Sequence, residues 1–188
     1  MRIYALAALI VLLTATTAGA VVDISIGAFG GMDIPTANDL ATSGPLYGIQ
    51  GKVGFTQFIA VGVFYRASSY GDVEETFFEG EPEEHTATIP GGDGTSFGAD
   101  VYLGRISGMP GANFYLYGSI GSYKWTRDNL ADVSELAYGM GLGVEVVLPF
   151  KLGIEGRGVF QVAPTENDGS LKSFIWFIGA NYHFGLGN

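Results

Sequence analysis

Apolar and polar residues alternate with period two in one segment after another of this chain. Between residues 22 and 32, Val22, Ile24, Ile26, Ala28 and Met32 share one face, and Asp23, Ser25, Gly27 and Phe29 the other. Tyr47, Ile49, Val53 and Phe55 oppose Gly48, Gln50, Lys52 and Gly54; Ile59, Val61, Val63 and Tyr65 oppose Ala60, Gly62, Phe64 and Arg66. Phe97, Ala99, Val101 and Leu103 oppose Gly98, Asp100, Tyr102 and Gly104. Residues 114–125 read as a strand of ambiguous phase, with Phe114, Leu116 and Ile120 favoured as its apolar face. Leu136, Tyr138, Met140, Leu142, Val144 and Val146 oppose Gly139, Gly141, Gly143 and Glu145. Leu152, Ile154 and Phe160 oppose Gly153, Glu155, Arg157 and Gln161. Last, Phe174, Trp176, Ile178, Ala180, Tyr182 and Phe184 oppose Gly179, Asn181 and His183. Such alternation is the mark of strands whose two faces meet different surroundings.

The pattern predicts eight strands of about nine to twelve residues. That exceeds the ~5–6 usual in soluble sheets and matches the ~9–11 that a tilted strand needs to cross a bilayer. The connections alternate in length. Those at 33–46, 69–94, 126–134 and 163–172 are long or intermediate, the last with the turn signal Asn167-Asp168-Gly169, while Thr56-Gln57, 107–113 and Pro149-Phe150 are short. In an up-and-down barrel the long set falls at one end and the short set at the other, as in outer-membrane barrels. The faces have the matching sense: the aliphatic face carries almost no charge, and glycine, amide and charged residues share the opposite face. A barrel apolar outside and polar inside is expected, with glycines relieving crowding in a narrow lumen. Phe55, Phe114, Phe150, Tyr182 and Phe184 near one set of strand ends, and Trp125, Tyr138, Phe160 and Phe174 near the other, would form interfacial girdles. The structural rival is a lipocalin-like soluble barrel, which would purify without detergent.

Composition narrows this picture. With 47% hydrophobic and 15% charged residues, the chain has too little charge for a disordered segment. It has no cysteine, which excludes disulfides and thiolate chemistry. A formal charge of −10 is unsuited to nucleic acid. At the N-terminus, Arg2, the apolar run Tyr4–Leu13 and Ala18-Gly19-Ala20 have the layout of a secretory signal peptide, residues 1–20, leaving 21–188 as the barrel domain. The alternative is an uncleaved anchor, for which the apolar run is short.

Several residue groups could carry chemistry. Asp23, Asp100, Glu145 and Glu155 should face the lumen with Lys52, Arg66 and Arg157. Buried charges need partners, so an internal ion-pair network plugging the lumen is expected; a narrow ion path is the alternative. His183 should project inward near the rim as a hydrogen-bonded interior residue. The connection 69–94 gathers Asp72, Glu74, Glu75, Glu79, Glu81, Glu83, Glu84 and Asp93 with His85, and reads as a solvated surface loop. Oxygen-rich clusters of this kind can take divalent cations, but no regular calcium-loop spacing is present. Gly139, Gly141 and Gly143 follow the period of a barrel interior, with no helix after them to make a nucleotide site.

The signal peptide, the strand YGMGLGVEVVL and the final Gly179-Ala180-Asn181-Tyr182-His183-Phe184 together resemble the small eight-stranded outer-membrane β-barrel family, which includes the OmpA membrane domain, OmpX and the "porin family" barrels of Gram-negative bacteria. The chain departs from the pattern at Phe177, usually polar, and in the four residues after Phe184. The resemblance implies an all-β, eight-stranded antiparallel up-and-down transmembrane β-barrel in the outer membrane. It implies outer-membrane lipid and the barrel-assembly machinery as partners, with Gly179, Tyr182 and Phe184 as the assembly signal. The expected role is non-enzymatic, structural or surface-contacting through the loops, in a monomer without cofactor or metal and with an unidentified surface partner. The alternatives are a narrow passive channel and a lipid-modifying enzyme; the absence of a serine near His183 on its strand counts against the latter.

Overall fold

The computed structural model describes residues 23–36, 42–77, 85–126, 133–164 and 170–185. The signal-peptide reading, Glu79, Glu81, Glu83, Glu84 and the Asn167-Asp168-Gly169 turn lie outside the described residues. The strands are β1 (Asp23–Pro35), β2 (Gly44–Gly54), β3 (Ile59–Tyr70), β4 (Val73–Phe77), β5 (His85–Ile89), β6 (Gly92–Gly104), β7 (Gly111–Thr126), β8 (Val133–Val147), β9 (Leu152–Pro164) and β10 (Ser170–His183). All but β4 and β5 join in a closed barrel, in the order β1-β10-β9-β8-β7-β6-β3-β2. Every pairing is antiparallel, and β1 closes on β10 with Ala28 opposite Ala180 and Met32 opposite Trp176. The fold is therefore an all-β, eight-stranded, antiparallel up-and-down barrel.

Its polarity is inverted relative to a soluble barrel. Ile49, Val63, Phe97, Leu116, Met140, Leu142 and Ile178 are exposed on the outer surface, Met140 to 76%. Gln50, Lys52, Arg66, Asp100, Glu145, Glu155, Arg157, Asn181 and His183 are buried inside. An exposed apolar surface this continuous marks contact with another apolar phase. Strand β7 takes one phase: Phe114, Leu116 and Ile120 face out, and Tyr115, Tyr117, Tyr123 and Trp125 are buried within.

Three sequence expectations need correction. The barrel strands run 11 to 16 residues, longer than the periodic segments indicated. The ladders continue past the aliphatic band: β3 and β6 stay paired out to Tyr70 opposite Gly92, and β1 extends through Asp33, which faces inward and is buried. Trp125 does not belong to an interfacial girdle. It shares the inward parity of Tyr123, packs edge-on to Tyr70 with ring centroids 5.9 Å apart, and donates from Nε1 to the Gly91 carbonyl at 2.8 Å. The acidic connection is not a plain loop. It carries the two-stranded sheet β4–β5, with Glu74 opposite Thr88 and Glu75 opposite Ala87. The alternation Val73, Glu75, Phe77 against Glu74, Thr76 is itself a strand pattern. Asp72 precedes this hairpin and accepts a hydrogen bond from the Gly91 amide at 3.1 Å.

Inside the barrel, glycines stand beside large rings. Gly143 lies opposite Tyr115, and a Cβ there would sit 2.5 Å from both Cζ and Oη of that ring. The ring cannot swing aside cheaply, because its hydroxyl is tied to Glu155 and Arg157. Gly143→Ala is therefore expected to destabilise the barrel by about 1–3 kcal/mol, the usual penalty for overpacking. Gly156 provides the control. It faces outward, and its nearest neighbour to an added Cβ is 4.0 Å away, so Gly156→Ala should stay within about 0.5 kcal/mol of wild type. Urea titration of the refolded barrel, scored by gel mobility, measures both. Equal effects would mean that the interior glycines are not there for space.

Candidate functional site: the polar network of the lumen

The register sets the lumen's central problem. Glu145 on β8 and Glu155 on β9 are direct cross-strand partners, so two carboxylates point inward side by side. Like charges in that position repel. Lys52 on β2, across the barrel, lies between them, with Nζ 3.1 Å from Glu145 Oε2 and 2.8 Å from Glu155 Oε1. Asn181 Nδ2 donates to both, to Glu145 Oε1 at 2.6 Å and Glu155 Oε2 at 3.0 Å. Gln50 Nε2 donates to Glu155 Oε2 at 2.5 Å and to Asn181 Oδ1 at 2.7 Å.

Glu155 is the hub. The Tyr115 hydroxyl donates to it, and Arg157 Nη2 lies 2.9 Å from Oε2. Arg157 also reaches Asp100 Oδ2 at 3.3 Å through Nη1 and donates to the hydroxyls of Tyr102 at 2.8 Å and Tyr115 at 3.1 Å. The Tyr102 hydroxyl in turn donates to Asp100 Oδ2 at 2.8 Å. The guanidinium sits among the rings of Tyr102, Tyr115, Tyr117 and Phe177, its Cζ 4.9 to 5.7 Å from their centroids. Such rings favour a desolvated cation. Phe177, the departure noted in the sequence, faces inward and stacks on Phe29 with centroids 4.4 Å apart.

Toward the short-turn end, His183 is held between Asp23 Oδ2 at 2.8 Å and Glu145 Oε1 at 3.2 Å. Beyond them lies a vestibule of about 330 Å³, rimmed by the three turns and including Asp23, Lys151 and His183 in its wall. Toward the other end, Arg66 Nε donates to Ser96 Oγ at 3.1 Å and Nη2 to Gln161 Oε1 at 2.6 Å. Arg66 has no carboxylate within 4 Å among the described residues. Still further out, the Tyr70 hydroxyl donates to Asp33 Oδ2 at 2.7 Å and lies 3.1 Å from the Tyr123 hydroxyl.

Of the seven charged residues assigned to the lumen from sequence, six join in one contiguous set: Asp23, Lys52, Asp100, Glu145, Glu155 and Arg157. Arg66 stands apart in a neutral hydrogen-bond layer. Gln50, Asn181, Tyr102 and Tyr115 complete the network without being among those charges, although inward parity places the first three on the lumen face. Asp33 falls in the first connection by its sequence pattern, yet its odd number continues the parity of Asp23, Ser25 and Phe29. Gly179 lies against β1, where a Cβ would meet the Ala28 carbonyl and Phe29 Cβ at 2.8 Å. Tyr182 and Phe184 face outward, their rings edge-to-face at 5.2 Å.

Each carboxylate of the hub is consumed by cations and amides. No cluster of three metal-ligating side chains occurs among the described residues.

Comparison of the sequence with protein-family models gives no match, and comparison with curated proteins gives none. Solved structures do match. The N-terminal β-barrel domain of Pseudomonas aeruginosa OprF superposes with a TM-score of 0.57 at 14% identity, over 86% of this chain and 97% of that one. Neisserial surface protein A superposes with a TM-score of 0.59 at 11% identity, over 87% and 97%. At this identity the likeness speaks for the fold, and it agrees with the strand number, antiparallel closure and inverted polarity found here. This chain has the fold of the small eight-stranded outer-membrane β-barrels.

Proposed function

We propose that the chain is an integral outer-membrane protein without enzymatic activity. Its lumen is closed by the ion-pair and amide network, and its role is structural or surface-contacting through the long connections. The observation that carries this reading is the inversion itself. An outer wall of exposed aliphatic side chains needs lipid, and a lumen in which Glu145, Glu155 and Asp100 pair with Lys52 and Arg157 needs none of it. The chain is exported by its N-terminal signal and recognised by the barrel-assembly machinery through Gly179, Tyr182 and Phe184. It works as a monomer, since closure leaves no free barrel edge. Glu74 and Glu75 on the β4–β5 hairpin, with the acidic residues between its strands, would favour a cationic surface partner.

The outer-membrane fraction of cells expressing the protein is expected to contain it. Unboiled samples should migrate faster on gels than boiled ones. Recovery from the soluble periplasm without such a shift would end the proposal. In planar bilayers the purified barrel should give no single-channel events, because Lys52, Glu145, Glu155 and Arg157 bridge the lumen. Steady unitary conductance would replace the plugged reading with that of a narrow channel.

A further inference from the structure

Five buried side-chain polar atoms in the described structure lack a hydrogen-bond partner, and three of them belong to one place. Gln50 Oε1, Asp100 Oδ1 and the Tyr117 hydroxyl are carried by residues that line a mid-barrel void of about 10 Å³. The three residues are at most 4% exposed. Orphaned buried polar atoms each cost about 1–3 kcal/mol, so three around one void call for an explanation. Arg66 and Arg157 line the same void. Arg157 already uses four of its five N–H donors, on Asp100, Glu155, Tyr102 and Tyr115. Among the described residues Arg66 makes two hydrogen bonds, to Ser96 and Gln161, out of the five N–H donors a guanidinium offers.

Two guanidinium groups at one void suggest an anion. The orphan atoms argue otherwise. Gln50 Oε1 and Asp100 Oδ1 can only accept, because the Gln50 amide nitrogen is committed to Glu155 and Asn181, and Asp100 is paired with Arg157. An anion would face both acceptors with lone pairs. A water molecule donates two hydrogen bonds and accepts two, which is the complement of two orphan acceptors and the donors of Tyr117 and Arg66. The void also matches the ~10–15 Å³ that one water needs.

We propose that this void is a binding site for a single structural water. The water donates to Gln50 Oε1 and Asp100 Oδ1 and accepts from the Tyr117 hydroxyl and Arg66. It joins the Glu155 network to the Arg66–Ser96–Gln161 layer, so that one hydrogen-bonded unit runs from Asp23 to Gln161. It also gives the Arg66 guanidinium, held by Ser96 and Gln161 without a carboxylate, a further polar contact in the middle of the barrel. The proposal concerns the interior alone and holds whatever the barrel's surroundings.

A crystal structure of the full chain, grown with bromide as the halide, tests it. One spherical peak is expected about 2.7–3.2 Å from Gln50 Oε1 and Asp100 Oδ1, with no anomalous bromide signal there. An anomalous peak would overturn the water in favour of an anion. A dry void, or side chains turned to satisfy one another directly, would overturn the site itself. In solution, water should cross-relax with the Tyr117 and Arg66 side chains, and Tyr117→Phe should shorten the water's residence time by roughly two- to tenfold, one hydrogen bond's worth. No cross-relaxation in wild type, or an unchanged residence time in the variant, would count against it.

Discussion

Glu155→Ala is expected to destabilise the barrel by about 3–5 kcal/mol, the cost of breaking a buried ion-pair set by removing one partner. The effect should be large because the carboxylate is fully buried and is shared by Lys52, Arg157, Gln50, Asn181 and Tyr115. Its removal leaves Arg157 with Asp100 as its sole carboxylate, and Lys52 with Glu145. The Tyr115 phenol also loses its acceptor, and the Gln50 and Asn181 amides each lose one of two, in a space where water does not easily replace it. Glu145→Ala should cost less. It relieves the repulsion with Glu155 as well as removing an acceptor, and the groups it leaves behind, Lys52 and Asn181, keep Glu155, while His183 keeps Asp23. The measurement is urea-induced unfolding of the protein refolded into vesicles, with both variants and the double variant. A Glu155→Ala cost below about 1 kcal/mol, or equal costs for the two carboxylates, would show that the network is not organised around Glu155. A double-variant cost equal to the sum would show that the two do not interact, which their cross-strand pairing opposes.

The sequence carried the barrel because a two-residue period is a purely local signal, and the inversion of faces survives any uncertainty about strand ends. Ile49 and Val63 face out, and Gln50 and Arg66 face in, as parity alone indicates. What the sequence withheld was mostly at the long-connection end. There the aliphatic face stops while the ladder continues, so Asp33 and Tyr70 lose the contrast that marks a strand, and Trp125, on a strand, loses the contrast that marks its face. Trp125 illustrates the cause. A tryptophan at a strand end suits an interface and an interior equally well by composition, and only the phase of β7 decides. That phase was blurred by Tyr115, Tyr117 and Tyr123, which are aromatic yet inward, each in contact with a polar partner or a ring. The β4–β5 hairpin was hidden by its acidity, which reads as solvation before it reads as alternation. The lumen set was legible as a list of charges but not as pairs. Pairing across a barrel depends on the stagger between distant strands: Lys52 meets Glu145 and Glu155 over 93 and 103 residues of separation, and nothing local specifies that. The amides Gln50 and Asn181 are silent in a search for charge, although they divide the two carboxylates between them.

Leu142→Arg is the substitution that decides what surrounds the barrel, with an expected cost of about 2–4 kcal/mol if that is lipid. Leu142 sits on β8 between Met140 and Val144, 65% exposed, opposite Leu116 and Gly158 on its neighbours. It lies well inside the aliphatic band, far from either rim. An arginine placed there would have to carry its charge to one interface along a wall that offers it no partner. A barrel in water would behave in the opposite way. Replacing one exposed leucine by arginine on a hydrated surface changes stability by no more than about 0.5 kcal/mol, and removing apolar exposure would improve solubility. The same substitution therefore has two well-separated outcomes, and the fold is the same in both. The comparison with Glu155→Ala sharpens it further. That variant tests the interior, whose energetics do not depend on the solvent outside, whereas Leu142→Arg leaves every lumen contact untouched. A large penalty for Glu155→Ala together with a negligible one for Leu142→Arg, both measured by urea titration in vesicles and in detergent-free buffer, would keep the plugged barrel and discard its place in a membrane. Large penalties for both, with the Leu142→Arg penalty shrinking as the substitution is moved to Leu136 at the strand's far end, would tie the barrel to a bilayer through the depth dependence that only a hydrocarbon core imposes.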